Sequence, residues 1–142
     1  MSITQPSQRS DQALFALRAV AALIFISAGT SKLFDFPATG VPGMPVPLFS
    51  ELGLAAVLEI VGGLAVLVGF YVRPVAFVLS GEMAVAYFQA HAPASPFPTV
   101  NGGVPAVLYS FLFLYLAFAG GGAFTVDRLL RSRRAGRTAL AQ

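Results

Sequence analysis

The sequence predicts an all-α fold, a transmembrane four-helix bundle, on three observations. The chain of 142 residues is 56% hydrophobic and only 11% charged, less than half the charged fraction of about 25% usual in soluble domains. Mean hydropathy is +0.77. Four apolar stretches, at about 13–34, 52–71, 74–91 and 104–124, account for most of the chain. Each is close to the ~20 residues that cross a ~30 Å hydrocarbon layer as a helix. None alternates in the ten-residue pattern of barrel strands. The expected organisation is a polar N-terminal segment (1–12), a four-helix transmembrane domain (13–127) and a basic tail (128–142).

Each span carries its own punctuation. Ser10 and Asp11 are candidate caps for the first helix and Ser50 for the second. Pro74 fits the first turn of the third helix and Pro105 that of the fourth. The Asn101-Gly102-Gly103 tripeptide predicts a tight turn opening span four. Gly120, Gly121 and Gly122 fall near its end, and Gly121 follows Ala117 by four, a small-xxx-small spacing that permits close helix contact or a homo-oligomer. The first span is expected to stay uncleaved: it is too long for a signal peptide and contains Arg18 and Lys32.

Orientation follows from the basic residues. Arg9, Arg73 and the tail residues Arg128, Arg131, Arg133, Arg134 and Arg137 lie at one end of the bundle. The loops 35–51 and 92–103 contain no Lys or Arg. The positive-inside rule places both termini and the Arg73 turn of this multi-pass chain on the cytoplasmic side. The net charge of +3 reads as topology and attraction to anionic lipid. Nucleic acid is not an expected partner, since no folded module remains to present a surface to it.

The two outer loops are rich in proline: Pro37, Pro42, Pro45 and Pro47 in one, Pro93, Pro96 and Pro98 in the other. Proline stiffens them into caps over the helix ends or lids over an outward-facing pocket. Phe36, Phe49 and Phe97 are candidate anchors against the bundle or the membrane interface.

Candidate chemistry rests on ionisable groups at membrane depth, where an unpaired charge costs at least ~2.5–3.5 kcal/mol. Arg18 and Lys32 stand fourteen residues apart, four helical turns, and share a face with Ala21, Phe25 and Gly29. Glu59 and Arg73 repeat that spacing, and Glu82 and Gln89 are seven apart. Three polar stripes should therefore converge on one interior. At ~1.5 Å per residue from the inner surface, Arg18 lies at ~8 Å, Glu82 at ~12 Å, Glu59 at ~18 Å and Lys32 at ~28 Å. The expected pairs are Arg18–Glu82, and Glu59 linked to Lys32 through water, a Tyr or Gln89. Such groups either fix helix register or line a pocket for a ligand or a proton step. In the outer loops, His91 is expected to be a hydrogen-bonded loop residue, with Asn101 the other polar candidate.

The absence of Cys and the single His exclude thiol catalysis, cysteine-ligated metal and a bis-histidine haem from one chain. No metal site is expected. The chain supplies neither a redox centre nor a nucleophile, which leans against an enzyme.

The chain resembles the DoxX family of small bacterial four-helix membrane proteins over roughly residues 13–130. The resemblance rests on Arg18, the S-A-G-T-S-K-L segment Ser27–Leu33, E-I-V-G-G at Glu59–Gly63 and G-F-Y-V-R-P at Gly69–Pro74. It continues through Glu82, N-G-G at Asn101–Gly103 and the glycine run leading to Asp127. Val104 stands where the family usually has an acid, and Thr125-Val126-Asp127 replaces its S-L-D. The resemblance implies a membrane subunit associated with redox or oxidative-stress chemistry, with quinone as a cofactor and a soluble oxidoreductase as a partner. A small-solute transporter or channel and a structural or assembly protein are the alternatives. Against transport, inverted repeats and mid-span prolines are not evident.

Overall fold

The computed structural model describes residues 8–139, with side chains through Ser132. The N-terminal residues before Gln8 and the side chains of Arg133, Arg134 and Arg137 lie outside that description. The chain is helical throughout: α1 (Gln8–Phe34), α2 (Glu51–Val68), α3 (Val72–Ala86), a short α4 (Pro98–Asn101), α5 (Val104–Ala119) and α6 (Val126–Ala139). A single π-helical turn, Tyr87–His91, extends α3. α1 packs along α2, α3 along α5, and α2 joins the two pairs through α3.

This packing turns the usual distribution of polarity inside out. Arg18 and Glu59 are among the largest fully buried side chains, while Leu23, Ile24, Val61, Phe77, Phe111 and Phe118 are exposed. In water so large an apolar surface would aggregate; in a bilayer it is the favoured exterior. α1 and α2 are long and apolar enough to cross a membrane, and α5 is a shorter apolar helix. The core between the helices is small and dry: Ala22, Phe25, Val66, Ala76, Leu79, Phe113 and Leu116. Phe25 holds the α1 and α5 faces together, its ring 4.8 Å from Phe113 and 5.6 Å from Tyr109.

Helix ends follow elementary capping chemistry. The Ser50 side chain accepts from the Gly53 amide at 3.0 Å and caps α2. Gly69, at φ +77°, ends α2 in the left-handed region, where its amide donates to Ala65 O and Val66 O, and a Cβ there would lie 2.7 Å from Thr125. Pro74 and Pro105 sit in the first turns of α3 and α5. Gly102, at φ +72°, makes the turn into α5.

Several boundaries differ from expectation. Ser10 and Asp11 lie inside α1, which already runs from Gln8, so neither caps it. Span four ends at Ala119, not 124, because Gly120 takes φ +82° and stops the helix. Gly121 therefore lies outside α5, and its spacing from Ala117 forms no helical small-residue face. The basic tail is not a plain extension but a helix, α6, beginning at Val126.

Candidate functional site

Two polar sites occupy the interior. The first is an arginine clamp. Arg18, 0% exposed, donates through Nη1 to Val66 O and to Leu67 O at 3.0 Å, and through Nη2 to Phe124 O at 2.6 Å. Val66 and Leu67 belong to the last turn of α2, whose carbonyls lack the usual amide one turn on and carry the negative end of its dipole; Val66 O accepts besides only from the capping Gly69 amide, at 3.2 Å. The guanidinium also sits 5.5 Å from the Phe15 ring centroid; of its polar atoms, only Nε is buried without a partner. The expected Arg18–Glu82 pair is absent. Two carbonyls from the end of α2 and the Phe124 carbonyl converge on Arg18, and α3, which bears Glu82, packs on α2 and α5 rather than along α1.

The second site joins α1, α2 and α3. Lys32 Nζ forms a direct hydrogen-bonded ion pair with Glu59 Oε1, where a mediated link was expected. Gly29, one turn before Lys32, makes the close crossing possible: a Cβ there would lie 2.7 Å from Ala56 O and 3.0 Å from Glu59 Cβ. Glu82 stands across from Glu59: α2 and α3 run antiparallel and touch where a Cβ on Gly62 would lie 2.7 Å from Leu79, and Glu59 and Glu82 are each one turn beyond that contact in the same direction. Both Glu82 oxygens and Glu59 Oε2 are buried with no hydrogen-bond partner among the described residues.

Not every predicted stripe survives. Gln89 is exposed, because the π-helical turn changes the residues per turn and carries it off the Glu82 face. Arg73 lies in α3 rather than on the α2 face with Glu59, and is exposed beside Gly120. His91 and Asn101 do meet: His91 Nδ1 is 3.0 Å from Asn101 O. Asn101 Nδ2 donates to Ser95 O at 2.7 Å, and its Oδ1 accepts from the Gly103 amide at 2.7 Å. This is a loop clasp, outside the interior. Among the described residues no three His, Asp or Glu gather to hold a metal ion.

Beside Lys32 a cavity of about 370 Å³ opens between α1 and the first proline-rich loop, with Ile24, Ala28 and Lys32 on one wall and Pro37, Val41 and Met44 on the other. Ser27, Ser31 and Thr39 add hydroxyls to it. The loop is tied down over it: Ser31 Oγ donates to Pro37 O at 2.9 Å, and the Val46 amide donates to Lys32 O at 2.8 Å. Gly53 lets the loop approach α2, since a Cβ there would lie 2.2 Å from Pro47 O. Phe36, Phe49 and Phe97 do not anchor these loops to the bundle; they are exposed. The sequence analysis missed Gly53, the Ser27/Ser31 wall and a clasp between α3 and α5, in which Ser80 Oγ donates to Ser110 O at 2.8 Å and Ser110 Oγ to Ser80 O at 3.1 Å. The serines of α1 stand four apart, the one signal that could have marked a polar face there.

An apolar exterior wrapped around buried Arg18 and Glu59 defines a helical integral membrane protein. The comparisons with known proteins narrow that class. The DoxX family profile matches residues 13–92. The chain is 44% identical to an uncharacterized protein of Haemophilus influenzae over 78% of its own length and 85% of the relative's. It is 31% identical to the inner membrane protein YqjF of Escherichia coli, over 87% of its own length and 95% of the relative's. The chain belongs to the DoxX family. No solved structure matches it.

Proposed function

We propose that this chain is a multi-pass protein of the bacterial inner membrane, with both termini cytoplasmic, that binds a quinone headgroup in the cavity beside Lys32. In this reading it serves a soluble oxidoreductase as a membrane subunit, alone or as a homo-oligomer. The observation that carries the reading is the cavity itself, walled by apolar side chains and bearing one ammonium. A quinone needs an apolar slot for its ring and a donor for a carbonyl oxygen. Lys32 has three N–H donors, one of which is engaged by Glu59. The others are free to orient a carbonyl, and the Ser27 and Ser31 hydroxyls stand on the same wall. The loop bonds from Ser31 and Val46 hold the outer wall in place. The bound quinone would supply the two-electron chemistry that the protein side chains lack.

The test is solvent extraction of quinone from protein purified out of bacterial membranes. Wild-type protein is expected to carry quinone, and both Lys32→Met and Ala28→Phe to lose it, the latter by filling the cavity without touching the ion pair. Wild-type protein that carries no quinone, or Ala28→Phe protein that retains it in full, would overturn the reading.

A further inference from the structure

The Lys32 site contains two carboxyl groups and one cation. Glu59 is 2% exposed, and its Oε2 faces no donor. Neither oxygen of Glu82 has a donor among the described residues either, and Glu82 lies one turn from the Gly62–Leu79 contact of α2 with α3, on the side where Glu59 lies. The groups that face this space are therefore Lys32 from α1, Glu59 from α2 and Glu82 from α3. α5 contributes as titratable residues only tyrosines: Tyr109, stacked on Phe25 and Phe113, and Tyr115, which is exposed. Arg18 is committed to the α2 carbonyls at the other end of the bundle. With both carboxyls ionised the site would hold an uncompensated negative charge away from water, which low-dielectric surroundings penalise by several kcal/mol.

We propose that Glu59 and Glu82 bind a single exchangeable proton between them, opposite Lys32, so that the pair is a proton-binding site at membrane depth. One proton restores neutrality: a carboxylate against the ammonium, and a neutral acid in place of a second buried charge. The proton exchanges with water past the partly exposed Lys32 side chain, and no other bond forms or breaks. The site does not depend on what fills that cavity, so it can stand or fall separately from quinone binding.

The charge count makes the test specific. A lipid-soluble carbodiimide reacts with protonated carboxyls in membranes, and peptide mass spectrometry locates the adducts. Full-length protein in liposomes is expected to take at most one adduct per chain, divided between Glu59 and Glu82. In Glu82→Gln, Glu59 is balanced by Lys32 alone and its adduct should disappear. In Lys32→Met both carboxyls need protons, and labelling should rise to two per chain. On the wild-type protein alone, infrared spectroscopy should show one carboxylic-acid C=O band that shifts in heavy water. Two adducts per wild-type chain, none at either residue, a Glu59 adduct unchanged in Glu82→Gln, or the absence of that band would each overturn the proposal.

Discussion

The two interior sites solve the same problem in opposite ways. At the end near Gln8 and α6, called the inner end, Arg18 spreads its charge over the carbonyls of Val66, Leu67 and Phe124, with the Phe15 ring beside it. At the opposite end, called the outer end, Lys32 meets a carboxylate, and a second carboxyl has no donor among the described residues. The first arrangement fastens three segments of chain and leaves no acceptor open. The second leaves three carboxyl oxygens without a donor among the described residues. Burial of a charge therefore does not by itself mark a functional group. What marks it is an ionisable oxygen whose acceptor capacity the fold leaves unused.

If the inner site is a structural clamp, breaking it should give the largest loss of stability. Arg18→Leu strands the Leu67 and Phe124 carbonyls and leaves Val66 O only the Gly69 amide, and a loss of about 3–5 kcal/mol is expected, from ~1–3 kcal/mol for each buried acceptor left without its donor. Arg18→Lys should not restore it, because one ammonium lacks the planar fork that reaches both α2 and Phe124. Thermal unfolding of the detergent-solubilised protein measures both; an Arg18→Leu protein that melts like wild type would erase the distinction between the sites. A smaller loss, about 1–3 kcal/mol, is expected from Gly29→Val, which forces a side chain into Ala56 O and Ile60 at the α1–α2 crossing. That variant should also separate Lys32 from Glu59, so the coupling between those two residues should vanish in its background.

How much of this contrast could be seen in the sequence depends on what each side chain bonds to. The Arg18–Lys32 stripe was legible because α1 is one uninterrupted helix, and fourteen residues on such a helix return to the same face. Ser50, Pro74 and Pro105 were legible because capping is local chemistry. The Arg18 partners were not legible. A backbone carbonyl carries no residue identity, and pairing by charge and depth points to an acid instead. Gln89 and Arg73 were misplaced for a related reason: spacing arithmetic assumes an unbroken α-helix, and the π-helical turn after Ala86 and the left-handed Gly69 break it. The cavity beside Lys32 depends on where the Pro37–Pro47 loop folds back, and that is set by tertiary bonds from Ser31 and Lys32.

The outer site should respond more weakly, and residue by residue. Lys32→Met leaves Glu59 without its cation and Glu59→Gln leaves Lys32 without its anion. Each is expected to destabilise the protein, and the double variant to lose less than the sum of the two, with a coupling of about 0.5–3 kcal/mol from a double-mutant cycle on unfolding midpoints. A coupling of zero would mean that the pair contributes nothing to holding α1 on α2.

Glu82 is expected to show the smallest effect of all, and it separates structure from function most cleanly. Its carboxyl makes no hydrogen bond among the described residues, so replacing it removes no contact and relieves a desolvated group. Glu82→Leu should therefore unfold within about 1 kcal/mol of wild type, on either side, since well-packed apolar replacements of buried ionisable groups are often neutral or stabilising. A loss as large as that of Arg18→Leu would show that Glu82 is a hidden member of the architecture, and that the outer site is a clamp like the inner one.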